Sequence, residues 1–375
     1  MVPKGNRKKV LVAMSGGVDS SVAVELLQRQ GYDCYGATMQ LYRNEEIGLE
    51  EASVCAADEK NSKSCCSWAD MMDAARVAFG LGVPHEIWDY REDFRRNVME
   101  DFVRVYEAGG TPNPCIQCNR TMKFRKMWEE AKKRGMDYLA TGHYARIEYD
   151  DASGRWLLKK AVDASKDQSY VLYMLSQEQL AHTLFPLGGY HKTETRQLAE
   201  ASGFVNANKQ DSQDICFVPD GDYARFIEGF TGHSYPEGDF VDPEGNVLGR
   251  HKGIIRNTVG QRKGLGISST APLYVVEIRP EANQVVLSHG EGLFAKRVIA
   301  KDINLISKER LEEPLRCKAR IRYYHSEQPC TLSQDGDRLI FDFDEPQRAP
   351  TVGQAVVAYD GDIVVGGGTI CEVVH

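Results

Sequence analysis

Residues 10 to 21 constrain this chain more than any other stretch: Val10-Leu11-Val12-Ala13-Met14 runs directly into Ser15-Gly16-Gly17-Val18-Asp19-Ser20-Ser21. An unbroken apolar run after a basic lead-in predicts a short strand buried on both faces, as in parallel sheets. A glycine turn opening onto a helix then presents backbone N–H groups and a positive dipole end above the strand, and the expected guest is a phosphate. This is no Walker loop, because Val18-Asp19-Ser20-Ser21 stands where Lys-Ser/Thr would reach the β- and γ-phosphates. Nor is it a dinucleotide fingerprint, which needs three glycines in G-x-G-x-x-G. A carboxylate such as Asp19 beside phosphates is useful when a Mg²⁺ ion lies between them.

Ser-Gly-Gly-x-Asp-Ser resembles the loop of the PP-loop ATP pyrophosphatases, which hold pyrophosphate while transferring AMP. At 375 residues, 42% of them hydrophobic and 27% charged, the chain predicts two or three soluble domains. No signal-peptide core and no apolar run of ~18 residues is present, so a cytoplasmic protein without a membrane partner is expected. Its ten cysteines are then reduced thiols, to be read first as catalytic or metal-binding. The net charge of −8 weighs against nucleic acid as a partner, but the electrostatic footprint of such a partner is local.

Along the chain, strand and helix alternate as in βαβ units as far as about residue 217. Residues 43 to 67 break the rhythm as an acidic insertion carrying Cys55, Cys65 and Cys66. Phe94, Val98, Phe102, Val105 and Tyr106 predict an amphipathic helix ending at Gly109-Gly110. In Thr111-Pro112-Asn113-Pro114-Cys115-Ile116-Gln117-Cys118, two prolines place the cysteines on a stiffened loop. The strand Tyr138 to Thr141 ends in Gly142-His143, which an open parallel sheet would put on its ligand side. From about residue 220, glycine, proline and short β-like runs take over, with a basic loop Gln261-Arg262-Lys263 suited to a phosphate backbone. Arg316, Lys318, Arg320 and Arg322 alternate with Cys317, Ala319, Ile321 and Tyr323, which in one strand lines four cations along one side.

Taken in order, these stretches resemble the tRNA-specific 2-thiouridylases. The carrying motifs are Ser15 to Ser21, Gly109 to Asn119 around Thr-Pro-Asn-Pro, Thr141-Gly142-His143-Tyr144, Lys166-Asp167-Gln168-Ser169-Tyr170, Ile215-Cys216-Phe217, Gly260 to Gly266 and Gly366-Gly367-Gly368. The resemblance implies an α/β protein in three parts. They are an N-terminal parallel-sheet PP-loop domain of the adenine nucleotide α-hydrolase type over 1–218, a β-rich central domain over 219–284, and a C-terminal antiparallel β-barrel over 285–375. It further implies that Ala13, Met14, Ser15, Gly16, Gly17, Val18, Asp19, Ser20, Ser21, Met39 and Gly142 hold ATP with Mg²⁺. Asn113 and Pro114 would approach the target base. His143, Lys166, Asp167, Gln168, Gln261, Arg262, Lys263, Arg322, Tyr323 and Gln354 would touch tRNA.

The implied reaction is ATP-dependent 2-thiolation of the wobble uridine. The uracil O2 is adenylated because oxygen alone leaves poorly, and sulfur then arrives from a persulfide on Cys216 that Cys118 releases as sulfide. The sulfur donor is a cysteine desulfurase, a sulfur relay protein or free sulfide. One departure stands out: Cys115 occupies a position where many members have Asp. Cys115, Cys118 and Cys216 are therefore also candidate ligands of an iron–sulfur cluster carrying hydrosulfide. The alternative reading is another PP-loop ATP-dependent tRNA-modifying or amidating ligase, which needs no cysteine.

Overall fold

The computed structural model describes residues 7–43, 68–211 and 215–375. The acidic insertion, apart from Arg43, and with it Cys55, Cys65 and Cys66, lies outside the described residues. Two compact units emerge. The first takes in the chain up to Val98, then Cys115–Gly221 and Asp362–Val364; the second takes in Met99–Pro114, Asp222–Gly361 and Val365–His375.

The first unit is built on a parallel sheet of β1 (Lys9–Ala13), β2 (Asp33–Gln40), β3 (His85–Asp89), β4 (Tyr138–Thr141) and β7 (Thr183–Leu184), ordered β3-β2-β1-β4-β7. Val10, Leu11 and Val12 are at most 1% exposed, as a strand covered on both faces requires. The helices α1 (Val18–Arg29) and α2 (Trp68–Gly80) supply Val24, Leu27, Ala74, Val77 and Ala78 to a core with Val10, Val12 and Cys34. A second core joins Val18, Val22 and Leu26 of α1 to Tyr144, Leu187 and Ala199. The chain runs outward from β1 through β2 to β3 and then returns to the other side of β1 as β4. The strand order therefore reverses at β1 and β4, and an open sheet binds ligands beyond the carboxyl ends of the strands at such a point. A hairpin of β5 (Ala145–Asp150) and β6 (Arg155–Lys160), which the sequence pattern does not announce, also belongs to this unit.

The Cys115 and Cys118 segment corrects the expectation of a loop. Pro114–Cys118 is helical and continues as a π-helix, Asn119–Met127, and an α-helix, Trp128–Lys133. Pro114 opens that helix at the first position, where proline's missing N–H costs nothing and its fixed φ is already helical. The alternation of helix and strand also continues past residue 217, in the helix Tyr223–Thr231.

In the second unit, β8 (Gly238–Val241), β9 (Val247–His251), β10 (Tyr274–Arg279) and β11 (Gln284–Ser288) form a sheet ordered β10-β11-β8-β9 over Phe240, Val275, Val285 and Leu287. Residues 285–287, expected in the barrel, thus pair in the central sheet. The barrel comprises β12 (Phe294–Leu305), β13 (Leu315–Arg320), β14 (Gln328–Asp335), β15 (Arg338–Arg348), β16 (Ala355–Asp360) and β17 (Ile363–Val374). They run in the order β12-β15-β14-β13-β16-β17, and pairing of β12 with β17 closes the ring and removes its edges. Val298, Leu332, Phe341, Val356 and Ile370 fill it.

Candidate nucleotide and sulfur site

The glycine loop lies at the carboxyl end of β1 and is held from several sides. Gly16 has φ +75°, and a side chain there would run into the Asp70 carbonyl of α2. A Cβ on Gly142 would lie 2.7 Å from the Ser20 nitrogen, so the turn after β4 closes directly on the start of α1. The Ser20 hydroxyl donates to the Gly17 carbonyl (3.1 Å) and accepts from the Ser15 N–H (3.2 Å), which fixes the turn's shape. Thr38 of β2 donates to the Met14 carbonyl at 2.7 Å, and Met39, next along that strand, is buried.

Several charged groups here escaped the sequence reading. Lys192 donates to both carboxylate oxygens of Asp19 (2.7 and 2.8 Å) and sits 2.7 Å from Asp211. The Tyr144 hydroxyl also donates to Asp19 at 3.0 Å; burial first and the Asp19 charge second push its pKa up. Lys209 binds Asp70 and Asp73 of α2 and donates to the Gly16 carbonyl. Burial works against its charge, but those two carboxylates prevail and hold its pKa above the ordinary lysine value. For Asp211, burial is likewise outweighed, by Lys166 (2.8 Å) and Lys192, and its pKa is lowered. Asn206 donates to the Gly16 carbonyl (2.9 Å) and to the Ser21 hydroxyl (3.0 Å). These contacts join residues up to 193 positions apart, and no local spacing encodes them. One local signal exists for Lys192: it is the first residue of the helix Lys192–Ala201, where a cation opposes the dipole.

The thiols are placed by the same unit. Cys216 is half-buried, and its carbonyl accepts from the Tyr42 hydroxyl at 2.7 Å, just beyond β2. Phe217 next to it packs edge-on against Phe94, with ring centroids 5.7 Å apart. Cys118 is half-buried and Cys115 exposed, and Asn119 ties their helix to the Val171 carbonyl at 3.1 Å. Among the described residues no group of three or more His, Cys, Asp or Glu side chains is arranged to hold a metal. Cys115, Cys118 and Cys216 are all among these described residues.

The residues expected at tRNA fall into two kinds. His143 is buried between Phe124 and Phe185, with its Nδ1 2.6 Å from the Thr141 hydroxyl. Burial, then the Lys123 charge, keeps its pKa well below the usual value, so it is neutral. Asp167 is also buried and accepts from the Ala161 and Ser169 N–H groups and the Ser169 hydroxyl. Gln168 accepts from the Tyr144 N–H at 2.9 Å, which joins this loop to the turn after β4. In the second unit, Arg262 and Lys263 are exposed, on a turn held by the Gln261 side chain through the Thr258 N–H and the Lys263 carbonyl. Gln354 donates to the Pro112 carbonyl at 3.2 Å and so steadies the Pro-Asn-Pro segment of that unit. The row of four cations is shorter and less charged than expected: β13 ends at Arg320, Arg316 is paired with Asp344 and Arg320 with Glu327. Arg322 lies beyond the strand and donates to the Arg348 carbonyl.

Three family models cover the chain in sequence: a tRNA methyl transferase HUP domain over residues 8–220, a tRNA methyl transferase PRC-barrel domain over 224–289 and an aminomethyltransferase beta-barrel domain over 295–370. The tRNA-specific 2-thiouridylase MnmA of Clostridioides difficile is 50% identical over 97% of this chain and 98% of its own length. Its namesake in Lachnoclostridium phytofermentans is 50% identical over 97% and 100%. That of Acetivibrio thermocellus is 49% identical over 97% and 99%. With this identity sustained across all three matched regions, the chain belongs to the tRNA-specific 2-thiouridylase family of sulfurtransferases.

Proposed function

We propose that this protein uses ATP to replace the C2 oxygen of the wobble uridine of tRNA with sulfur. What supports this reading above all is that a phosphate loop without a Walker lysine opens at the carboxyl end of β1, where the strand order of the parallel sheet reverses, in the same unit as two half-buried thiols, Cys118 and Cys216. The uracil O2 attacks the ATP α-phosphate and expels pyrophosphate, whose charge the N–H groups at the start of α1 stabilise. Asp19, a carboxylate at the loop, suits a Mg²⁺ ion, which when bound neutralises the same leaving group. Cys216 carries the incoming sulfur as a persulfide. The Cys118 thiolate attacks the Cys216 Sγ, a disulfide forms between them and hydrosulfide leaves; hydrosulfide adds at C2, and AMP departs with the original oxygen.

Asn113 and Pro114 meet the target base in this proposal, and Lys166, Gln168, Gln261, Arg262, Lys263, Arg322 and Tyr323 form the tRNA surface. His143, Asp167 and Gln354 act through the loops they hold. A cytoplasmic setting and a desulfurase, relay protein or free sulfide as donor complete the reading. The functional division follows 1–218 for catalysis, then a central part extended to include β11, whose pairing ties it there, and then the barrel.

The test is tRNA-dependent release of pyrophosphate together with mass spectrometry of the wobble nucleoside. Wild type should yield 2-thiouridine only with ATP, and Cys216→Ala should release pyrophosphate yet leave uridine unmodified when a persulfide donor is supplied. Full thiolation by Cys216→Ala under those conditions would favour the cysteine-independent ligase reading.

A further inference from the structure

The backbone turn that bears Cys216 leaves the direction of that residue's carbonyl to contacts from outside. The Val218 N–H donates to the Ile215 carbonyl at 2.9 Å, which closes a four-residue turn with Cys216 and Phe217 as its central pair. In a turn of this kind the peptide joining the two central residues can face either way, as types I and II do, and the backbone angles of the first central residue change with it. Two contacts restrain that choice. The Tyr42 hydroxyl donates to the Cys216 carbonyl at 2.7 Å, across 174 positions of sequence. Fully buried Phe94 stands edge-on to Phe217, with centroids 5.7 Å apart, and tilted against Tyr42 at 6.1 Å, so one ring braces both ends of that hydrogen bond. Tyr42 is itself 4% exposed, which makes its ring a fixed mount for the hydroxyl. The chain that carries Tyr42 also reaches the glycine loop: Thr38, four residues earlier, donates to the Met14 carbonyl at 2.7 Å, next to Ser15. Four residues of extended chain span at most about 14 Å. One short segment, the end of β2 and the two residues after it, thus anchors both the start of the glycine loop and the turn bearing Cys216.

We propose that Tyr42 is the positioning residue of the sulfur carrier: its hydroxyl holds the Cys216–Phe217 peptide in one orientation and so sets where the persulfide stands relative to the glycine loop. The assignment rests on the reading of Cys216 as the residue that carries sulfur. In this role Tyr42 touches no reacting atom and moves no proton. It fixes the geometry from which the carried sulfur is passed on, and a misplacement of about 1 Å can slow such a transfer severely. Adenylation of the base uses neither the turn nor its sulfur. The hydroxyl therefore matters to the second half of the reaction and not to the first.

Tyr42→Phe removes the hydroxyl and keeps the ring against Phe94. Full-length wild type and variant, each loaded with persulfide, are compared in single turnovers with tRNA and ATP, and pyrophosphate release and 2-thiouridine formation are followed in the same samples. Tyr42→Phe should form 2-thiouridine about five- to tenfold more slowly, the scale of one lost hydrogen bond, while releasing pyrophosphate at the wild-type rate. A variant merely weakened in its fold would lose both steps together. Thiolation at the wild-type rate, or equal loss of both steps, overturns the assignment of Tyr42. Cys216→Ala, given the same persulfide donor, tests the reading beneath it: thiolation by that variant removes Cys216 as the carrier, whatever Tyr42→Phe does. Should Tyr42→Phe fail to fold, a crystal structure of the persulfide-loaded wild type decides. Tyr42 Oη about 3 Å from the Cys216 carbonyl oxygen supports the proposal, and a separation beyond ~4 Å refutes it.

Discussion

The glycine-loop end of the first unit and the barrel of the second treat charge in opposite ways. Around the loop, Lys192 is 9% exposed and Asp70 3%, each engaged with an opposite charge far away in sequence. On the barrel, Arg316 and Asp344 are 59% and 46% exposed, outside a wall whose interior is apolar. Exposed pairs gain little and cost little, whereas buried ones must overcome desolvation. Charge kept in an unfavourable place gathers at the glycine loop; charge kept where it is harmless lies on the barrel surface.

Substitutions on each side can break or sharpen that contrast. The largest effect is expected in the scaffold: Phe341→Ala, at a fully buried position, should cost about 3–5 kcal/mol in urea unfolding while ATP affinity stays as in wild type. Lys209→Met removes the cation from Asp70 and Asp73 and should cost about 2–3 kcal/mol, less than a fully buried pair because Lys209 is 28% exposed. A change under ~0.5 kcal/mol would mean that the loop's charges are no better placed than the barrel's.

Neutral, buried His143 gives a smaller, pH-dependent effect. Its folded pKa lies below the unfolded value of ~6.5, so the unfolded chain binds the extra proton, and stability is present above that pH and lost as pH falls below it. The unfolding free-energy difference between wild type and His143→Asn should be flat above pH 7. Below pH 6.5 it should shrink by up to about 1.4 kcal/mol per unit. The comparison isolates His143 from His85, His251 and His325, whose pKa values burial also lowers. A difference constant from pH 7.5 to 5.5 contradicts the burial argument. The smallest effect belongs to the barrel surface: Arg316→Ala should leave the urea midpoint where it is, and a clear drop would show that exposed pairs hold the barrel together.

The same contrast explains what could be read from the sequence. Strand β1, the glycine loop and α1 follow from contiguous residues, because an apolar run and a glycine pair fix local geometry directly. The turn at Gly142 closes on the start of α1, at the strand end to which the rule that ligands gather at carboxyl ends points. The helix under Cys115 and Cys118 was hidden by two prolines, since proline at a first helical position and proline in a turn look alike until the chain downstream is seen to stay helical. Residues 285–287 look like any barrel strand, and only their partners in β8 and β10 assign them to the central sheet. The cations of β13 alternate as read, but the carboxylates that neutralise Arg316 and Arg320 come from elsewhere in the barrel. Lys192, Lys209 and Asp211 were missed for the related reason that their roles depend on contacts across the fold.

The most direct test of the account loads a persulfide onto the protein anaerobically and without iron, mixes it with tRNA and MgATP for a single turnover, and quantifies 2-thiouridine at the wobble position by mass spectrometry. A persulfide route through Cys216 predicts one 2-thiouridine per persulfide, strict dependence on ATP, and no product from Cys216→Ser. Product that appears only after iron and sulfide are restored, or that Cys216→Ser forms as well as wild type, would contradict it.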